Sequence, residues 1–392
     1  MVLVATATLA TASAQTSGTF AIDPINDLAL IYQGGTMRPD WTQSQFEPYV
    51  THKFSNGKES WLFDGFLFLE FRRQGDVTYA NGYGTGSTRT DWEWLMGRIF
   101  ESGKALDALD KCITAAKNRL GDPGFKHKIV LMLPSPENGK TDWGSVNGKK
   151  LNFNKIDDKE TAVEWYLQTI YDRFNKAGFK NLELSGFYWI EETTTQTGKE
   201  LPTRVSKMVH QLGKRMYWIP FYGANNNDQG KSMGFDITYL QPNYFVYKDL
   251  TSQRLTDAVS KALKVGSALE MEFDESSYNN ASEHDQALEH IEAYISAFER
   301  YGVWQKSSVA YYLGNYVWGT MANSSKSADR KVIEKLAQHI VDRHTTLQKS
   351  SATTTVQKAA STTTQKASST TSNSSKSQST TKKKWWELDW HF

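Results

Sequence analysis

Cysteine is nearly absent from this chain of 392 residues, which contains one, Cys112. A single cysteine excludes an intramolecular disulfide and any zinc or iron–sulfur site built on several thiolates. Cys112 lies in an apolar helical pattern, which predicts a buried thiol rather than a nucleophile. The histidines include no His-x-His or HExxH pattern. We therefore predict no metal site and no cofactor.

An excess of one charge sign is also missing, because 45 lysines and arginines face 43 aspartates and glutamates. Proteins that bind nucleic acid usually carry a strong basic excess, so the composition argues against that class. Residues 349–384 hold seven lysines and no acidic residue. The rest of the chain is therefore slightly acidic.

Long apolar runs are absent, and no stretch of about 18 residues could cross a bilayer. Residues 2–14 are small or apolar and end in Ala12-Ser13-Ala14. This pattern is typical of a secretory signal, so we predict a signal peptide over 1–14 and a secreted, periplasmic or cell-surface protein. Residues 348–392 are rich in Ser, Thr and Lys with an aromatic end. We predict a disordered tail there that could contact a partner or the cell surface.

Between these ends, over residues 20–347, short apolar runs alternate with amphipathic stretches. This alternation predicts parallel strands covered by helices. The predicted strands are Leu28–Gln33, Leu62–Glu70, Lys128–Leu133, Leu182–Ile190, Met216–Pro220, Asp236–Gln241, Ala268–Phe273 and Val309–Leu313. The predicted helices are Trp92–Leu120, Lys159–Lys176, Thr203–Leu212, Gln253–Leu263, Glu283–Arg300 and Ser327–Thr345.

Eight such units predict an α/β fold, a (β/α)8 TIM barrel in one domain. The alternative is a doubly wound open sheet, which would usually carry a glycine-rich phosphate loop after its first strand. The chain has Gln33-Gly34-Gly35-Thr36-Met37 there, without a phosphate-loop pattern. The barrel is therefore favoured.

Carboxyl groups follow or occupy two of the predicted strands. Glu191 and Glu192 end the fourth strand, and Glu270 and Glu272 alternate on the seventh, which places them on one face. Glycoside hydrolysis needs two such carboxyl groups at the carboxyl ends of barrel strands. The alternative is that Glu191 and Glu192 are solvated loop residues and that Glu270 pairs with a buried cation.

Aromatic, amide and acidic side chains near the same strands predict sugar contacts, because sugar rings offer apolar faces for stacking and hydroxyls for hydrogen bonds. The predicted substrate-binding residues are Asp64, Tyr188, Trp189, Trp218, Tyr222, Asp236, Gln241, Asn243, Tyr244 and Tyr312.

Six short motifs together resemble a bacterial domain family of unknown function that is grouped with the TIM-barrel glycosidases. They are Phe63-Asp64-Gly65-Phe66, Gly186-Phe187-Tyr188-Trp189, Trp218-Ile219-Pro220, Gly234-Phe235-Asp236, Gln241-Pro242-Asn243-Tyr244 and Glu270-Met271-Glu272. The family is similar to retaining glycosidases, with the acid at the end of strand 4 and the nucleophile on strand 7. The resemblance implies Glu192 as the acid and Glu272 as the nucleophile. Glu191 remains the alternative acid.

These observations predict a secreted glycoside hydrolase that cleaves a polysaccharide or glycoconjugate by a retaining mechanism, with Glu270 as the alternative carboxyl on strand 7. Retention requires about 5–5.5 Å between the two carboxyl groups. Glu270, deeper on its strand, is expected to be structural and held by hydrogen bonds from neighbouring strands. The alternative function is a catalytically inactive barrel that binds glycan and is tethered at the cell surface.

Overall fold

The fold comes from a computed structural model that describes residues 18–35, 38–195, 197–279 and 281–344. The predicted signal peptide (1–14) and the predicted tail (348–392) lie outside these ranges.

Eight parallel strands close a barrel, which confirms the predicted fold. Each strand pairs with its neighbours in chain order, and the first pairs with the last through Asp27 and Val309. The strands are β1 Asp27–Tyr32, β2 Gly65–Leu69, β3 His127–Leu133, β4 Leu182–Trp189, β5 Arg215–Trp218, β6 Ile237–Leu240, β7 Ala268–Glu272 and β8 Val309–Tyr312.

Helices cover the outside of the barrel. The longer ones are α1 Gln43–Val50, α2 Arg89–Ile99, α3 Ala105–Leu120, α4 Ile156–Ala177, α5 Glu200–Gln211, α6 Gln253–Val265, α7 Ala281–Tyr301 and α8 over 327–344. Short helices span Ser276–Asn279, Val303–Lys306 and Val317–Ala322, and 3₁₀ turns span Thr197–Lys199 and Lys231–Met233.

Two predicted boundaries are wrong. The single helix predicted over Trp92–Leu120 is two helices, because the chain turns at Gly103, whose φ of 78° lies in the left-handed region that glycine tolerates. The second strand begins at Gly65 rather than Leu62. The amides of Leu62 and Phe63 donate instead to the carbonyls of Val50 and Tyr49.

Several small elements lie outside the alternating pattern and were not predicted. Helix α1 contains Pro48, a residue that normally interrupts a helix. Short strands pair Thr51–Lys53 with Glu59–Trp61 and Ser145–Val146 with Lys149–Lys150. Three more, Arg72–Arg73, Val77–Thr78 and Thr85–Gly86, form a small sheet after β2.

The barrel strands are buried on both faces, as parallel strands under helices require. Each fully buried Leu, Ile or Phe side chain contributes about 1.5–3 kcal/mol relative to exposure. Cys112 is buried on α3, as predicted, and burial raises the pKa of its thiol to about 12. Among the described residues, no helix is long and apolar enough to cross a membrane.

Candidate active site

The end of β4 is shaped by a β-bulge between Leu184 and Gly186. A Cβ at position 186 would lie 2.0 Å from the carbonyl oxygen of Arg215 on β5, so only glycine lets the two strands approach this closely. A bulge changes the direction in which the following side chains point. It therefore sets the orientation of the residues that leave this strand, among them Glu191 and Glu192.

The two consecutive glutamates after β4 line two different pockets. Glu191 lines a pocket of about 250 Å³ with Ser135 and Lys159, and the Ser135 hydroxyl donates to its carboxyl group. Glu192 lines a neighbouring pocket of about 220 Å³ at the carboxyl end of the barrel. The structure therefore separates the two candidates that the sequence left open.

Both glutamates of β7 line the pocket of Glu192. Glu270 is 2% exposed and Glu272 is 3% exposed. Their shared face follows from the alternation of side chains along a strand. The structure thus brings Glu192, Glu270 and Glu272 together at one pocket, and we call these three the pocket carboxyls.

Two amide side chains link Glu192 to Glu272. Gln241 Nε2 donates to Glu192 Oε1 at 2.9 Å, and Asn243 Nδ2 donates to Gln241 Oε1 at 3.0 Å. Asn243 also donates to Glu272 from its backbone amide at 2.6 Å and from Nδ2 at 3.2 Å. The result is a continuous hydrogen-bonded chain between the two carboxyl groups.

Asn243 takes a backbone conformation that few residues accept, with φ at 50°. Asparagine is enriched in this left-handed region. Its Oδ1 accepts from the backbone amide of Tyr222, at 2.8 Å, beyond the end of β5. The Gln-Pro-Asn motif, which follows β6, thus joins the ends of four consecutive strands, β4 to β7.

Burial raises the pKa of Glu192 to about 7, against the partial opposing effect of the Gln241 hydrogen bond. Burial also raises the pKa of Glu272 to about 7, although Tyr294 Oη donates to it at 2.8 Å. Glu272 accepts three hydrogen bonds from its neighbours, whereas Glu192 accepts one. Hydrogen bonds to a carboxylate favour its ionised form, and Glu272 has more of them than Glu192.

The surroundings of Glu270 differ from the prediction that hydrogen bonds from neighbouring strands hold its carboxyl group. Its Oε1 is buried and has no hydrogen-bond partner among the described residues. Burial and the nearby charges of Glu272 and Glu192 raise its pKa well above the usual range. A structural ion pair does not explain this residue.

Four of the predicted substrate-binding residues line the pocket of the three carboxyl groups: Tyr188, Gln241, Asn243 and Tyr312. Tyr32 lines it as well and meets Tyr312 edge to face, with ring centroids 5.6 Å apart. Tyr32 ends β1, so the strand-end rule that selected the other residues would have found it. Leu30, Ile219 and Val246 also line the pocket and were not among the predicted substrate-binding residues.

Four predicted aromatic contacts lie away from this pocket. Trp189 lines the pocket of Glu191. Trp218 stacks on Phe235 and donates to the backbone of Glu191. The ring of Tyr222 lies under the guanidinium of Arg254, and the ring of Tyr244 stacks on His290.

Two predicted contacts are wrong because their residues lie at the opposite end of the barrel. Asp64 directly precedes β2 and accepts from the backbone amides of Asn26 and Asp27 at the start of β1. Asp236 directly precedes β6, accepts from the backbone amide of Met216 and pairs with His210. Both carboxyl groups bind the amino-terminal ends of strands, where they cannot reach the pocket.

Asp27, Asp64 and His344 form the one group of three side chains, among those described, that could hold a metal ion, with ligand atoms within 4.8 Å of one another. Protein groups contact each of these side chains, and Asp27 Oδ2 and His344 Nε2 lie 3.4 Å from each other. Tyr311 and Arg343 contact Asp27, and backbone amides bind Asp64. The guanidinium of Arg343 lies 3.4 Å from Asp27, so a cation already balances this charge.

The comparison with protein families identifies the chain over most of its length. The family profile of DUF4855, a domain of unknown function, matches residues 27–338, which contain the whole barrel and all three pocket carboxyls. This chain belongs to DUF4855. No curated protein matches it in sequence.

Solved structures similar to this DUF4855 chain are TIM-barrel glycoside hydrolases. The intracellular xylanase TsXylA from Thermoanaerobacterium saccharolyticum is 11% identical, with a TM-score of 0.39 over 72% of this chain and 90% of that one. A GH18 chitinase from Pseudoalteromonas aurantia is 9% identical, with a TM-score of 0.38 over 78% and 99%. A GH5-4 broad-specificity endoglucanase from Clostridium longisporum is 11% identical, with a TM-score of 0.35 over 78% and 88%. At such low scores, these likenesses carry no argument about activity.

Proposed function

We propose that this DUF4855 chain is a glycoside hydrolase that cleaves a polysaccharide or glycoconjugate. The observation that carries the proposal is the pocket at the carboxyl end of the barrel, where Gln241 and Asn243 connect Glu192 to Glu272. Catalytic groups of TIM barrels lie at this end. Two carboxyl groups with different hydrogen-bond environments are what glycoside hydrolysis needs.

Glu192 is the general acid in this proposal, because one hydrogen bond and a raised pKa keep it protonated near neutral pH. Its proton goes to the oxygen of the leaving sugar as the glycosidic bond breaks. Glu272, whose ionised form three hydrogen bonds favour, attacks the anomeric carbon and forms a covalent glycosyl–enzyme bond. Water activated by the Glu192 carboxylate then cleaves that bond and releases the sugar with its original configuration.

A pocket of about 220 Å³ is smaller than the roughly 300–1,000 Å³ of pockets that enclose drug-sized ligands. It suits one sugar ring at a time. Tyr32, Tyr188 and Tyr312 supply the ring faces that stack on the apolar side of a sugar.

We also propose that the protein is exported, on the composition of residues 2–14. A polysaccharide or glycoconjugate outside the cell would then be its substrate. Fractionation of the source cells, with the mature amino terminus determined by mass spectrometry, tests this.

Digestion of a glycan panel tests the activity, with the products analysed by proton NMR for anomeric configuration. The intact protein should cleave at least one glycan with retention. Glu272→Gln should abolish turnover, and Glu192→Gln should lower it by about 10²–10⁴-fold. Glu183→Gln is the matched control, because Glu183 is exposed and pairs with Lys128 on the outside of the barrel.

Inversion of the anomeric configuration would contradict the retaining mechanism. Near-normal turnover of Glu272→Gln would contradict its role as nucleophile. Binding without cleavage in every form would support a catalytically inactive glycan-binding barrel instead.

A further inference from the structure

Glu270 is a third carboxyl group at a site where glycoside hydrolysis needs two. It lines the pocket with Glu192 and Glu272, is 2% exposed, and leaves Oε1 without a partner among the described residues. Burying a carboxylate without a hydrogen-bond partner is costly. The group therefore has a binding capacity that the protein itself does not use.

Among the residues that the structure describes, no lysine, arginine or histidine lines this pocket. The guanidinium of Arg38 lies behind its wall, over the ring of Tyr32 at 4.6 Å. Arg38 is already paired with Glu70 through Nε at 3.0 Å and Nη2 at 3.0 Å. A pocket carboxyl that loses its proton is thus not balanced by a basic side chain among the described residues of the lining.

The donors in the lining are also in use. The side-chain amide of Gln241 donates to Glu192, and that of Asn243 donates to Gln241 and Glu272. A ligand that satisfies Glu270 must therefore bring its own donor, and a positively charged donor also offsets the charge of the pocket.

A metal ion fits this pocket poorly. Among the described residues, the three glutamates do not form a group whose oxygen atoms all lie within 4.8 Å of one another. A single calcium ion needs oxygen ligands at about 2.3–2.6 Å, which such a spread does not provide. An organic cation carried on a larger ligand can span it.

We propose that the pocket binds a sugar that carries a protonated amino group, and that Glu270 accepts hydrogen bonds from this ammonium. The inference rests on the proposed function and names its substrate class, a glycan with free rather than acetylated amino groups. An ammonium offers three donors and no acceptor, which matches an unpartnered carboxylate. The rings of Tyr32, Tyr188 and Tyr312 add attraction for a cation.

The position of Glu270 assigns it to specificity rather than to bond cleavage. It lies two residues before Glu272 on β7, about 6–7 Å further into the barrel at the rise of a strand. Glu272 faces the anomeric carbon in the proposed mechanism, so Glu270 faces a ring substituent. Glu270 is therefore a binding residue that distinguishes substrates.

Binding of matched oligosaccharides tests this inference. Chitosan oligomers and de-N-acetylated galactosamine oligomers are each compared with the same oligomers after chemical N-acetylation, by isothermal titration calorimetry at physiological salt. The Glu192→Gln background slows cleavage during the measurement by the expected factor of about 10²–10⁴. We expect at least one free-amine oligomer to bind at least tenfold more tightly than its N-acetylated form.

Adding Glu270→Gln should reduce this preference to less than about threefold, whereas adding the exposed Glu183→Gln should leave it unchanged. The control separates binding in the pocket from general attraction of polycations to an acidic protein. Equal or weaker binding of both free-amine oligomers would overturn the inference, and this comparison needs no Glu270 variant. A preference that survives Glu270→Gln would also overturn it.

Turnover by the intact protein separates this inference from the proposed function. Cleavage of neutral or N-acetylated glycans, with no amine preference in binding, would leave the hydrolase proposal standing and remove the inference. A Glu270-dependent amine preference without cleavage of any glycan would do the reverse.

Discussion

At the amino-terminal end of the barrel, the buried carboxyl groups of Asp23, Asp27 and Asp64 have partners. We call these three the closed-end aspartates. Arg215 pairs with Asp23 at 2.7 Å, and Arg343 lies 3.4 Å from Asp27. At the carboxyl end, the pocket carboxyls are also buried, and no basic residue is found among the described residues that line their pocket.

The pKa directions separate Asp27 from the pocket carboxyls. Arg343 and His344 hold the pKa of Asp27 below its usual range despite complete burial. Burial raises the pKa of all three pocket carboxyls, and it also raises the pKa of Asp23 and Asp64 at the amino-terminal end. Asp27 is thus the carboxyl group whose charge the fold itself stabilises, whereas raised pKa values at a pocket are typical of groups held for chemistry or binding.

Asp27→Asn should have the largest effect on stability. It leaves Arg343 and His344 buried without their carboxylate, and breaking a buried ion pair in this way costs about 3–5 kcal/mol. Urea denaturation measures the change in the free energy of unfolding. Asp142→Asn removes an exposed pair with Lys140 and should cost less than about 1 kcal/mol. Equal effects of the two substitutions would show that the buried pairs of Asp27 stabilise the fold no more than a pair at the surface.

The pH dependence of stability should come mainly from the pocket. Glu192 and Glu272 have pKa values of about 7 in place of the usual 4.5, so between these values the folded protein holds protons that the unfolded chain has released. The free energy of unfolding therefore falls as pH rises from about 4.5 to 7, by at most about 1.4 kcal/mol per pH unit for each group. The stabilising contribution is complete below pH 4.5 and lost above pH 7.

Glu272→Gln should flatten this slope, since it removes one of the titrating groups; Glu270, Glu192 and Tyr294 remain to face the substituted position. Denaturation at half-unit steps from pH 4.5 to 8 measures it. Asp27 contributes elsewhere, because the stability due to its lowered pKa is lost only as pH falls below the usual value of 3.8. Asp23 and Asp64, whose pKa values are raised, contribute with the same sign as the pocket. A slope that Glu272→Gln leaves unchanged would place its origin outside the pocket.

Glu270→Gln should have the smallest effect and the opposite sign. Replacing an unbalanced buried carboxyl group with a neutral amide should raise the free energy of unfolding at pH 7 by about 0.5–2 kcal/mol, as is common where a functional site is strained. Differential scanning calorimetry beside Glu183→Gln provides the comparison. A marked loss of stability would show that Glu270 has a structural partner after all, as the sequence had suggested.

The barrel and its strand-end glutamates could be predicted because both depend on local periodicity. Alternation along β7 is enough to place Glu270 and Glu272 on one face. Which of Glu191 and Glu192 enters the pocket could not be predicted, since a bulge in β4 shifts the alternation of the side chains that follow it.

Contacts between residues far apart in the sequence could not be predicted either. Tyr294 on helix α7 donates a hydrogen bond to Glu272, and no pattern in the sequence predicts that contact. Asp64 and Asp236 were misassigned because their motifs resemble strand-end motifs, whereas each residue comes just before its strand begins. A boundary placed at the wrong end of a strand moves a side chain across the whole barrel.

The pairing of β1 with β8 has a consequence for how the protein is made. Arg343 donates to the backbone carbonyl of Asn26, 317 positions earlier in the chain. At a synthesis rate of about 5–20 residues per second, roughly 15–60 seconds pass between the synthesis of β1 and that of these partners. During that interval its apolar segment, Leu28–Tyr32, has one unpaired edge that can join another chain. Until the helix that contains Arg343 emerges from the ribosome, the cell therefore has to prevent the incomplete barrel from associating with other chains.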